Sequence, residues 1–189
     1  MTSSKSIYYP PGGLLIWIVI YLELITFGMA TLALAYYGSQ NRSEFHADSL
    51  LLNKTVATIN TIVLLTSGYF VAIAIKHFKA QQLPKTLQFL TWAILCGTLF
   101  LVLKGYEYYE KIEAGLTMGK SDFFNYYCLL TGFHWLHVLV GIVILLFFRF
   151  NIAKKQTVAS LEDFEAGAAF WHMCDLIWLF LFPILYLMF

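Results

Sequence analysis

The sequence predicts an all-α membrane protein, a bundle of five transmembrane helices with its N-terminus inside and its C-terminus outside. Three observations lead there. About 60% of the 189 residues are apolar and only 12% are charged, against roughly 25% charged in soluble domains. Mean hydropathy is +0.71, and a soluble domain of this size could not hide that much apolar surface. Five apolar stretches are each long enough to cross a bilayer, which takes about 20 residues. They lie at Leu14–Tyr37, Thr55–Lys76, Leu87–Tyr106, Phe123–Phe148 and Ala166–Met188. Strand-like alternation is absent, so helices are the spanning form expected.

The connections are short and polar, and no linker divides the chain. Residues 1–13 read as an N-terminal tail and 14–189 as one domain. The tail shows no cleavable signal, because the apolar run after Pro10-Pro11-Gly12-Gly13 is too long for a signal core and lacks a small-residue cleavage site. The formal net charge of +1 gives no hint of nucleic acid. Cys96, Cys128 and Cys174 are scattered through apolar segments without CxxC spacing, which favours packing over a disulfide or a metal site.

Orientation follows from the basic residues. One side collects Lys5, Lys76, Lys79, Lys85, Arg149, Lys154 and Lys155, and the other Arg42, Lys54, Lys104, Lys111 and Lys120, seven against five. The loop after the second span is basic with no acid, and it places the N-terminal side inside.

The first span carries Glu23, nine residues in and therefore ~13 Å deep. A carboxyl at that depth is neutral or has a partner. It is either a structural hydrogen-bonding group or a titrating one. The second span sets Asn60, Thr61, Leu64, Ser67 and Gly68 at helical spacing, the small and polar pattern of a close helix–helix face. The third ends in Lys104-Gly105-Tyr106-Glu107-Tyr108-Tyr109-Glu110, where the tyrosines suit an interfacial belt and Glu107 sits at the expected membrane exit.

The fourth span carries His134 and His137, 11 and 14 residues from its start and so at the depth of Glu23. Residues three apart share a helix face, and Glu23 is expected within reach of one of them. The fifth opens with Phe164-Glu165-Ala166-Gly167 and Trp171-His172, and Asp175 follows His172 at the spacing of a pair. Ionisable groups at bilayer depth are usually kept for an interior role. Three histidines on these spans are few for a haem or copper centre, and buried hydrogen bonding is the expected task.

Two linked stretches carry a resemblance: Gly132-Phe133-His134-Trp135-Leu136-His137-Val138-Leu139-Val140-Gly141, and Phe164 through Leu181 with Trp171, His172, Asp175 and Trp178. Together they resemble subunit III of the haem-copper respiratory oxidases, the cytochrome c oxidase family, almost residue for residue. The Asn60–Gly68 run and Glu107-Tyr108-Tyr109-Glu110 are similar to that family as well. Longer members have two further helices ahead of this region, so the likeness is to the short five-helix form of bacteria.

The resemblance implies a non-catalytic core subunit of a proton-pumping terminal oxidase in a bacterial plasma membrane. It implies partnership with the catalytic subunit I and with subunit II. No cofactor is expected on this chain, since haem and copper belong to the catalytic partner. Structural phospholipid is expected, with Trp171, His172 and Arg149 as candidate contacts. In that family a glutamate matching Glu23 is carbodiimide-reactive and lies beside the catalytic subunit. Two alternatives stay open. The run Trp171–Leu187 is also similar to the ending of a subunit III-like accessory protein of nitric oxide reductase. A small proton-linked transporter or channel using Glu23 is the reading from another class, although the chain shows no convincing internal repeat.

Overall fold

A computed structural model describes residues 13–154 and 160–189. The described residues form six helices and no strand: α1 (Leu14–Gln40), α2 (Arg42–Ser49), α3 (Lys54–Lys79), α4 (Leu83–Glu113), α5 (Asp122–Ala153) and α6 (Leu161–Tyr186). All but α2 are long and apolar enough to cross a membrane, as the sequence predicts, and the chain is a multi-pass membrane protein. The expected N-terminal tail, with Lys5, and the loop cation Lys155 lie outside the described residues apart from Gly13.

Local sequence explains where the helices begin. Asn53 Oδ1 accepts the Val56 amide at 3.1 Å, Ser121 Oγ accepts that of Phe124 at 3.3 Å, and Ser160 Oγ accepts that of Asp163 at 3.1 Å. Each is an N-cap that satisfies an otherwise orphaned donor. Pro84 falls in the first turn of α4, where its missing N–H is harmless.

Helices α3, α4, α5 and α6 form a closed ring of neighbours, α3 on α4, α4 on α5, α5 on α6 and α6 on α3, and α1 lies outside the ring against α5 and α6. The apolar window of α1 is only 17% buried, against 56% for α6. Association in lipid relies on close packing and interhelical hydrogen bonds rather than on water exclusion, and the ring shows both. The polar face expected on α3 is buried: Ser67 Oγ donates to Ala93 O at 2.7 Å, and Asn60 Nδ2 donates to Phe100 O at 3.3 Å. Trp178 Nε1 on α6 donates to Thr61 Oγ1 at 2.9 Å, and Trp135 Nε1 on α5 donates to Leu101 O at 3.2 Å.

Trp171 corrects an expectation. It is fully buried, not a lipid contact. A Cβ on Gly97 of α4 or on Gly141 of α5 would come within 2.6 or 2.7 Å of its indole. These two glycines open the groove that lets a tryptophan from α6 lie between α4 and α5.

The short α2 was not foreseen. It crosses the end of the bundle that holds the C-terminal end of α4. Phe45 is buried edge-on to Phe123 and Phe189, and Asp48 Oδ2 accepts the Ser121 hydroxyl at 2.5 Å.

Candidate functional site

Three polar groups lie inside or beside this apolar bundle. The first joins α1 to α5. Glu23 Oε2 lies 3.3 Å from His137 Nε2, so the expected meeting of Glu23 with a histidine is made by His137. His137 Nδ1 faces the Phe133 carbonyl at 2.8 Å; a carbonyl only accepts, so this nitrogen carries the proton and Nε2 is the atom turned to the carboxyl. The Glu23 contact is at ion-pair distance without hydrogen-bond geometry, and Oε2 has no hydrogen-bond partner among the described residues.

His134, one turn away, is fully buried among aromatic rings of α1, α4 and α6 and does not meet Glu23. Its imidazole stacks on Trp178 at 5.2 Å and meets Phe27 and Phe100 edge-on. Neither ring nitrogen has a hydrogen-bond partner among the described residues. Both histidines pack on Phe27 of α1, but only His137 meets Glu23, while His134 is enclosed by rings.

The second group sits at the α2 end and was largely missed from sequence. Lys104, expected as a loop cation, is 1% exposed, and Glu107, expected at the membrane interface, is 3% exposed. The physical reason is length: α4 continues to Glu113, seven residues beyond the expected end of the span, so both side chains remain within the helix pack. Lys104 Nζ donates to Glu107 Oε2 at 3.0 Å, Tyr127 Oη at 2.9 Å and Tyr186 Oη at 2.7 Å. Both phenols donate to Glu107 Oε1, at 2.7 and 2.8 Å. The ammonium thus uses all three donors, and both carboxylate oxygens are engaged. The rings of Tyr108, Tyr127, Trp178 and Tyr186 surround Nζ at 4.7–5.5 Å, within cation–π range. The signal for this cluster was Lys104 ending the unbroken apolar run Leu99–Leu103 with an acid three residues on.

The third group is the His172–Asp175 pair on α6, at 3.4 Å between Nδ1 and Oδ2. Asp175 is nine-tenths buried, its Oδ1 unpartnered among the described residues, whereas the His172 side chain is 44% exposed. Arg149, the remaining candidate lipid contact, is half-buried and donates from Nε to Thr91 Oγ1 at 2.9 Å. Cys96, Cys128 and Cys174 are free. Among the described residues no three His, Cys, Asp or Glu side chains converge as a metal site.

Comparison with known proteins places this geometry. The family model of cytochrome c oxidase subunit III matches residues 49–188. The chain is 37% identical over 132 residues to cytochrome c oxidase subunit 3 of the turtle Pelomedusa subrufa, covering 69% of this chain and 49% of the relative. It is 37% identical to the same subunit of Artemia franciscana over 130 residues, and 37% identical to that of Salmo salar over 132, with the same shares covered. The chain spans about half the length of these relatives. The family match begins beyond α1, so Glu23 lies outside it while His134, His137, His172 and Asp175 lie within. This chain belongs to the cytochrome c oxidase subunit III family.

Proposed function

We propose that this chain works as a non-catalytic core subunit of a proton-pumping haem-copper terminal oxidase in a bacterial plasma membrane. The catalytic subunit I would hold the haem and copper and reduce oxygen, with subunit II beside it. This chain would stabilise subunit I, hold phospholipid at the shared boundary, and help sustain proton uptake during turnover. The observation that carries the reading is the family match across α3 to α6, the closed ring of the fold.

The residues suit a supporting role. The saturated Lys104–Glu107 cluster ties α4, α5 and α6 into a rigid block. The Glu23–His137 contact ties the peripheral α1 to that block at bilayer depth. Burial of Lys104 also sharpens the orientation argument. Removing it from the basic tally leaves seven residues on the N-terminal side against four on the other, which supports an inside N-terminus.

The run Trp171–Leu187 favours a second reading, an accessory subunit of nitric oxide reductase. One experiment separates them: the chain is tagged, solubilised gently, and the reduced-minus-oxidised spectrum of the co-purified material is recorded. An a- or o-type haem signal with oxygen uptake is the expected result. A b- and c-type signal with nitric oxide consumption selects the second reading. Absence of any haem, with proton flux in liposomes holding this chain alone, overturns both in favour of a transporter.

A further inference from the structure

The seam between α1 and α6 is not filled by side chains. A hollow of about 430 Å³ is walled by Leu24, Gly28 and Leu32 of α1 and by Leu176, Phe180 and Ile184 of α6. A second, of about 210 Å³, takes up the same two stripes with Ala35, Ser39 and Arg42 on one wall and Met188 on the other. Steps of three and four residues keep one face of a helix, so the two hollows follow one trough along the seam. Gly28 is open for a reason the fold does not supply. Gly97 and Gly141 are small because Trp171 fills their space, whereas a Cβ on Gly28 would meet nothing within 4 Å.

The trough has the length of one leaflet. It begins beside Glu23, at the counted mid-depth, and one turn earlier Ile20 is buried. From Leu24 to Ser39 a helix rises roughly 22 Å, about half of a bilayer with its headgroup regions. A partner's transmembrane helix would need the whole thickness. The exposed Tyr36 and Tyr37 mark the interface on α1, and Arg42 follows them at headgroup level. Arg42 is exposed and makes no ion pair or hydrogen bond among the described residues. His46 at the same mouth is already engaged, its Nδ1 meeting Phe189 O at 2.6 Å. No Asp or Glu side chain lines this end, so the trough joins an apolar channel to one free guanidinium.

We propose that the α1/α6 trough binds one phospholipid of the leaflet on the α2 side, an acyl chain lying over Gly28 and the phosphate resting on Arg42. A guanidinium suits that phosphate because its paired donors match two oxygens at once. The inference deepens the lipid-holding role proposed above and rests on it. Arg149, near the far end of α5, belongs to the other leaflet and not to this site.

The test uses the complex captured through the tagged chain and reconstituted into nanodiscs. These carry a trace of phosphatidylglycerol with a diazirine at the middle of one acyl chain or, in parallel, a diacylglycerol with the same chain. After irradiation the adducts are mapped by peptide mass spectrometry. The expected result is phospholipid labelling of α1 and α6 along the trough well above that at Val102 and Val143, exposed positions on α4 and α5. The diacylglycerol should label the trough less. Arg42→Gln should lower phospholipid labelling there about five-fold and leave Val102 and Val143 unchanged. Gly28→Leu, which fills the channel without a clash at its Cβ, should lower labelling by both probes. Trough labelling that neither substitution alters overturns the proposal, since the lipid there is then only part of the surrounding bilayer. A trough left unlabelled while Val102 and Val143 react also overturns it, since protein then covers the seam. Labelling concentrated beside Arg149 and absent from the trough would sink this site alone; labelling at the bulk level everywhere would sink the lipid-holding role with it.

Discussion

The Lys104–Glu107 cluster and the Glu23–His134–His137 layer are made of the same kinds of side chain, about two turns apart along α5, yet they are finished differently. In the first every donor and acceptor of the ion pair has a partner, supplied by α4, α5 and α6. In the second, Glu23 Oε2 and both nitrogens of His134 have no hydrogen-bond partner among the described residues, and the same holds for Asp175 Oδ1 nearby on α6. A buried polar network is a strong constraint when complete and an expense when partial. The completed cluster belongs to the fold. The incomplete one leaves buried polar atoms unmatched both at the α1 seam, at Glu23, and in the aromatic interior, at His134.

That contrast can be broken by substitution. The largest effect should come from Lys104→Met, which strands Glu107 as a buried, unpaired charge; loss of about 3–5 kcal/mol is expected, read as a fall in Tm of the detergent-solubilised protein. Adding Glu107→Leu to that variant should recover a large part of the loss, because the penalty lies in the orphaned charge. Trp171→Ala comes next, at about 3–5 kcal/mol for emptying a large aromatic site, the lower part of that range holding if α4 and α5 close over Gly97 and Gly141. Tyr186→Phe removes one phenol from the charged pair and should cost about 1.5–3 kcal/mol. His134→Phe should be the mildest, within about 1 kcal/mol, since the ring keeps its stack on Trp178 and surrenders no hydrogen bond seen here. A loss for His134→Phe as great as for Lys104→Met would erase the distinction between the clusters.

Much of this was legible in the chain, and the parts that were not share a cause. The five spans follow from hydropathy alone, and Glu23 meets His137 because both were counted to the same depth from opposite sides. Counting gives depth but not direction around a helix. Trp171 was expected to face lipid but is buried, because the groove that receives it is made by Gly97 and Gly141, distant in sequence. Glu107 and Lys104 were put at or beyond the end of the third span, but α4 continues as helix to Glu113, since apolarity fades there before helicity does. The α2 helix is short and polar, with Phe45 as its one large apolar anchor, and no periodic signal announces it. The family motifs located His134, His137, His172 and Asp175 without showing that they face three different ways.

The most direct test of the central claim measures the Tm of the tagged chain for Lys104→Met beside Asp175→Asn and Glu23→Gln. The account predicts that Lys104→Met lowers Tm sharply, because Glu107 is left buried and unpaired. Asp175→Asn and Glu23→Gln should leave Tm within a few degrees of wild type. The opposite pattern, a stable Lys104→Met chain beside Asp175→Asn and Glu23→Gln chains that unfold, would contradict the division between a completed cluster that holds the fold and an incomplete one that does not.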